Sequence, residues 1–129
     1  MHHDDIMRKF HSKRQKALAM GGEKKLAAHK AAGKLNARER VDYLLDDGTW
    51  QEIGLFAHSD QPNVGDKAPC DGKIAGFGKI DGRPAAVVAN DLTVKGASSG
   101  VVNGKKIGYI KRIADRSGIP VIFLSEAGG

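Results

Sequence analysis

The sequence is poor in the residues that staple or anchor small proteins. Its 129 residues include one cysteine, Cys70, one tryptophan, Trp50, and an aromatic share of only 5%. A single cysteine excludes a disulfide framework and a structural zinc site built on cysteine pairs. Long apolar runs are missing too. The longest, Pro84 to Ala89 and Ile119 to Leu124, fall far short of the ~20 residues that a membrane helix needs, so no membrane span is expected. No basic-then-apolar leader opens the chain, and the expected setting is soluble, reducing and inside the cell. Acidic residues are scarce in one region only. Residues 1–40 hold eleven Lys/Arg against four Asp/Glu, a charge of +7, whereas the whole chain carries +6. That asymmetry predicts a basic arm on a near-neutral body of one-domain size.

What is present reads as alternating helices and strands. From Asp4 to Ala32 the chain lacks proline and is rich in Ala, Lys, Leu and Gln, which predicts two helical pieces broken at Gly21-Gly22 and ended by Gly33. Their apolar positions (Ile6, Phe10, Ala17, Leu18, Leu26, Ala27) are sparse, so the pieces must lie on something else. Asn36 and Glu39 have the spacing of a capping box before a helix with Val41, Leu44 and Leu45 on its apolar face. Thr49 to Phe56 is read as a strand, and His58 to Pro69 as a surface loop. Gly72 to Ile80 leads into Asp81-Gly82, a hairpin signal, and Pro84 to Asn90 is apolar on both faces, as in a central strand. A small-residue loop, Lys95 to Gly100, precedes a helix that Asn103 is expected to cap. Ile107, Ile110, Ile113 and Ala114 form its inner face, while Lys105, Lys106, Lys111, Arg112 and Arg116 point elsewhere. Gly118 and Pro120 end it, and Val121 to Leu124 is read as a second fully buried strand. Strand, helix, strand with a hairpin in front is an α/β fold of ββα units. The buried strand runs into Ser125-Glu126-Ala127-Gly128-Gly129, and the carboxyl end of a strand is where an α/β site sits.

Side-chain chemistry is thin. His2, His3, His11, His29 and His58 have no partner at a ligand spacing, so no metal is expected. Ser98-Ser99 lacks a G-x-S-x-G context and a nearby base, Trp50 is expected to pack on the body, and Cys70 reads as a spacer.

Three stretches together resemble the amino-terminal part of carboxyltransferase (beta) subunits of biotin-dependent acyl-CoA carboxylases and of the related acyl-CoA decarboxylases. They are GKLNARERVDYLLDDG (33–48), DGKIAGFGKIDG (71–82) with RPAAVVANDLTVKGASSG after it, and SGIPVIFLSEAGG (117–129). Order and spacing agree over nearly the whole chain. Glu126-Ala127 stands where the family pattern has Asp-Ser, and KGASSGVVNGKK replaces a loop that often reads F-G-G-S-x-G. The resemblance implies the opening ββα units of a crotonase/ClpP-like superhelix, with residues 1–35 a helical basic arm and residues 36–129 an incomplete carboxyltransferase domain. It implies carboxyl transfer between carboxybiotin and an acyl-CoA through an enolate that backbone amides stabilise. Gly128 and Gly129 match the family's oxyanion-type glycines. Gly96, Ala97, Ser98, Ser99, Gly100 and Ala127 fall where the acyl-CoA is held. Lys105, Lys106, Lys111 and Arg112 are read as a solvated helix face, with attraction of CoA phosphates the lesser reading.

The implied partners are acyl-CoA, a biotin carboxyl carrier protein or domain that brings the biotin, and further copies of the carboxyltransferase subunit. The implied location is the cytoplasm, or the mitochondrial matrix in a eukaryote. The 129 residues alone are expected to be inactive and to expose strand edges. The alternative is a basic nucleic-acid- or anion-binding module using the arm. The arm's one aromatic, Phe10, and the lack of any RNA-recognition or zinc-finger signature speak against it, so nucleic acid is not an expected partner. A structural arm that wraps a partner subunit is preferred.

Overall fold

The computed structural model describes residues 2–126, apart from the side chain of Asp66. The arm forms α1 (His3–Leu18) and α2 (Glu23–Ala31). Asp4 and Asp5 in the first turn of α1 and Lys16 in its last complement the helix dipole. As its composition demands, α1 buries only Ala17 and α2 buries nothing completely. The joint between them does the docking. Met20 enters the core, and the Gly21 N–H donates to Thr93 Oγ1 at 3.0 Å. A Cβ at Gly21 would stand 2.1 Å from the Thr93 carbonyl oxygen, so only glycine fits the approach.

Helix α3 (Ala37–Leu44) starts with the expected capping box: the Glu39 N–H donates to Asn36 Oδ1 at 2.9 Å and the Asn36 N–H to Glu39 Oε1 at 3.1 Å. The strands are β1 (Gln51–Ile53), β2 (Lys73–Ile80), β3 (Arg83–Asn90) and β4 (Val121–Leu124), with α4 (Val101–Ser117) between the last two. They form one sheet in the order β1-β2-β3-β4, antiparallel except for the parallel pair β3/β4. Asp81 and Gly82 have φ of 50° and 78°, the two positive values of a type I′ turn, which matches the twist of the β2–β3 hairpin.

The two faces of the sheet alternate along each strand. Ile74, Val87 and Ala89 pack with Met20, Ala37, Val41 and Leu45, while Ala75, Ala86 and Val88 pack with Ile110 and Ala114 of α4. Trp50 packs on the α3 side, as expected. Two strand readings need correction. β1 is three residues long because Gly54, at φ 73°, turns the chain away. β4 is not fully buried: among the described residues it pairs only with β3, and Phe123 is 46% exposed. An apolar run does not say which neighbour covers it.

The pairings Ile53↔Ala75, Lys73↔Asn90 and Ala89↔Leu124 bring the carboxyl ends of β1, β3 and β4 to one end of the sheet. The segments that follow each of them start there.

Candidate functional site

Two short turns at this end are left-handed. Cys70, Asp71 and Gly72 have φ of 56°, 48° and 72°; Lys95, Gly96 and Ala97 have 51°, 59° and 57°. Four of these six residues carry a Cβ, so the conformation persists only where the surroundings impose it. Here they do so with buried polar side chains.

Asp71, 1% exposed, pairs with the Lys95 ammonium and accepts the Asn103 N–H on Oδ2 at 2.9 Å. The Asn103 amide donates to the carbonyls of Asp71 and Ser98, each at 3.0 Å, and its Oδ1 accepts the Gly100 N–H at 3.0 Å. The Lys73 ammonium donates to Asn90 Oδ1 and the Ala97 carbonyl, both at 2.9 Å. The Lys106 ammonium donates to the carbonyls of Cys70 and Lys73, both at 2.7 Å. Burial pushes both lysines below the ordinary ammonium range; Asp71 opposes this at Lys73, and Cys70, Glu52 and Asp71 oppose it at Lys106.

This network revises three sequence readings. Asn103 is not the cap of α4: Gly100 holds that position, and the capping oxygen comes from Asp71, far away in the chain. Lys106 is 7% exposed and turned into the protein, so it takes no part in a solvated or phosphate-facing surface, while Lys105, Lys111 and Arg112 are exposed. Cys70 is more than a spacer. It is 2% exposed, its Sγ lies 3.4 Å from the Leu55 carbonyl and 3.6 Å from the Arg38 guanidinium, and burial pushes its thiol up. Beside it, Arg38 and Glu52 form a largely buried, bidentate ion pair.

The predicted substrate loop therefore sits on a stapled base. Ala97 is buried, Gly96 and Gly100 are half-buried, and Ser98 and Ser99 are exposed. The Ala97 and Ser98 N–H groups are used inside the turn, on the carbonyls of Val94 at 2.8 Å and Lys95 at 3.2 Å. Ala127, Gly128 and Gly129 lie outside the described residues. The residue before them is placed: the Glu126 carboxylate faces His29 Nε2 and Lys34 Nζ at 3.6 Å and Arg40 at 3.9 Å. Among the described residues no cluster of His, Cys, Asp and Glu has the makings of a metal site, and no helix is long and apolar enough to cross a membrane. A cavity of about 340 Å³ lies apart from this loop, between Lys13 and Lys16 of α1 and the segment Leu55–Pro69.

Known proteins resemble this chain in sequence and in fold. The carboxyl transferase domain family matches residues 28–129. The chain is 41% identical over 129 residues to the propionyl-CoA carboxylase carboxyltransferase subunit of Haloferax mediterranei, covering 98% of this chain and 25% of that protein. It is 37% identical over 123 residues to the methylmalonyl-CoA decarboxylase subunit alpha of Veillonella parvula, covering 93% of this chain and 24% of that protein. The transcarboxylase 12S crystal structure, a hexamer assembly with methylmalonyl-coenzyme A bound, superposes on all of this chain and 26% of its own, at TM-score 0.90 and 32% identity. The beta subunit of the P. aeruginosa geranyl-CoA carboxylase covers 98% of this chain and 22% of its own, at TM-score 0.65 and 27% identity. The chain thus spans about a quarter of the length of the curated relatives it matches. The expected crotonase-like α/β fold stands, and nothing in the fold or the relatives supports a nucleic-acid-binding module.

Proposed function

Because the chain belongs to the carboxyl transferase domain family, we propose that it forms the leading part of a site that moves a carboxyl group between carboxybiotin and an acyl-CoA. In such a transfer the carbon beside the thioester becomes nucleophilic as an enolate, and negative charge develops on the thioester oxygen. Fixed N–H donors aimed at that oxygen lower the barrier, each by roughly 3–4 kcal/mol in a water-poor site. A glycine lets its amide come close because no Cβ intervenes. On this reading Gly128 and Gly129 are the donors, and Gly96 to Gly100 with Ala127 contact the acyl-CoA. No acid–base pair of side chains is required.

One observation carries the reading. The parallel pairing Ala89↔Leu124 makes the segments after β3 and β4 leave the sheet from the same end, which supports assigning the Gly96–Gly100 loop and the segment after Leu124 to one site. The buried staples under the first of them provide the preorganisation that such catalysis needs. Biotin supplies a transferable carboxyl group when its carrier protein or domain presents it, and this chain's share of the work is toward the acyl-CoA. Residues 1–35 then act as the arm and residues 36–129 as the incomplete domain of a homo-oligomeric subunit in the cytoplasm or mitochondrial matrix.

The test is titration of the isotope-labelled chain with propionyl-CoA, followed by NMR. Shifts at Gly96, Ser98, Ser99 and Gly100 are expected. No shifts, or shifts confined to the lysines of α1 and abolished by salt, would overturn the proposal. Mixed with methylmalonyl-CoA and free biotin, the 129 residues alone are expected to give no carboxyl transfer.

A further inference from the structure

Glu126 lies two residues beyond the end of β4, and its side chain is 21% exposed. Three basic groups surround its carboxylate, and they come from three successive segments: His29 from α2, Lys34 from the link and Arg40 from α3. The separations of 3.6–3.9 Å are longer than direct hydrogen bonds, and Lys34 is 56% exposed, so the cluster adds little to global stability. Its effect is geometric. His29 is fixed, with 8% of its side chain exposed and its Nε2–H donating to the Leu35 carbonyl at 3.1 Å. The Lys34 and Arg40 cations, with the His29 imidazole beside them, hold the carboxylate at the exit of β4.

We propose that Glu126 is a positioning residue: drawn toward His29, Lys34 and Arg40, it sets the direction in which the chain leaves β4 toward Gly128 and Gly129. The inference rests on the role proposed above for those glycines, and extends it by making the second arm helix and α3 part of the site's support. Glutamate stands where the family pattern has aspartate, and its extra methylene lengthens the reach to the three side chains.

The test compares the full chain with Glu126→Gln and Glu126→Asp, reading backbone relaxation from Ser125 onward, the melting temperature and propionyl-CoA affinity. For Glu126→Gln the melting temperature should move by less than about 3 °C. Fast motion should increase at the amides after Leu124, and affinity should fall about tenfold. Glu126→Asp, which keeps the charge, should recover most of both, and about 0.5 M salt should mimic the glutamine variant. Unchanged relaxation in Glu126→Gln overturns the proposal, as does a loss of affinity that only tracks a lost melting temperature. If the unaltered chain binds no propionyl-CoA, the carboxyltransferase reading fails while the relaxation comparison still decides the role of Glu126.

Discussion

The two ends of the β2–β3 hairpin solve the same problem in different ways. At the closed end, Asp46 accepts the N–H groups of Asp81 at 2.9 Å and Gly82 at 2.7 Å. At the open end, Asp71 accepts the Asn103 N–H at 2.9 Å and pairs with Lys95. Both aspartates accept backbone N–H groups. The closed end is a two-residue turn that its own sequence favours, with the aspartate half-buried. The open end holds four non-glycine residues in the left-handed region, at about 1–2 kcal/mol each, and its aspartate is 1% exposed. Local preference suffices at one end, whereas long-range buried contacts impose the other. The strained end is also the one where the proposed substrate loop lies, which is where strain held by a rigid surround is expected.

Breaking the buried aspartate should show the largest effect. Asp71→Ala leaves the Lys95 ammonium and the Asn103 N–H without their acceptor and uncaps α4. The expected loss is about 3–5 kcal/mol in urea denaturation; a loss below about 1 kcal/mol would place Asp71 with the ordinary surface aspartates. Lys106→Met comes next. It keeps the stem but takes the donor from the carbonyls of Cys70 and Lys73, for about 1–3 kcal/mol. It has a pH signature as well. Burial lowers the folded-state value of Lys106, so between that value and the ordinary one of about 10.4 the unfolded chain binds more protons, and stability rises with pH. Denaturation from neutral to alkaline pH should show a smaller rise in the variant, with Lys73 supplying what remains.

The same contrast explains what could be read from the residues. Asp81-Gly82, the Asn36–Glu39 capping box and the break at Gly21-Gly22 are local chemistry, and each stands in the fold where its residue types require. The Asp71 cap on α4 is invisible to any local rule, because its acceptor comes from another segment. Lys106 did carry a signal. It falls on the buried stripe of α4 with Asn103, Ile110 and Ala114, and its charge hides that periodicity. Of the candidate site, the Gly96–Gly100 loop was legible because small residues between a strand and a helix mark a turn. Its handedness was not, because Lys95 and Ala97 do not favour positive φ. The cluster at Glu126 draws on residues brought near β4 only by packing of the arm.

At the closed end, Asp46→Ala should cost less than either change above, about 1–2 kcal/mol, since water replaces part of what the carboxylate does for Asp81 and Gly82. Denaturation under the conditions used for Asp71→Ala makes the comparison direct. Equal losses at the two ends would show that burial does not separate them.

The smallest effect is expected at Asp91, which sits at the open end but has a substitute of nearly the same shape. It is 3% exposed and accepts the Thr93 N–H at 3.0 Å and the Thr93 O–H at 2.5 Å, while that hydroxyl oxygen accepts the Gly21 N–H and so docks the arm. Burial raises its carboxyl above the ordinary range, and the bonds from Thr93 and the charges of Arg38 and His29 work the other way. The folded protein therefore binds more protons than the unfolded chain between the ordinary value near 3.9 and the raised one. Asp91 contributes fully below that window, and its contribution is lost as pH rises through the raised value. Asp91→Asn retains a carbonyl oxygen to accept both Thr93 donors and carries no charge. Stability at neutral pH should change by less than about 1 kcal/mol, and the part of the decline that belongs to Asp91, as pH rises through the raised value, should disappear. An unaltered decline in the variant would mean that Asp91 ionises without penalty, and would place it with Asp46 on the water-tolerant side of the comparison.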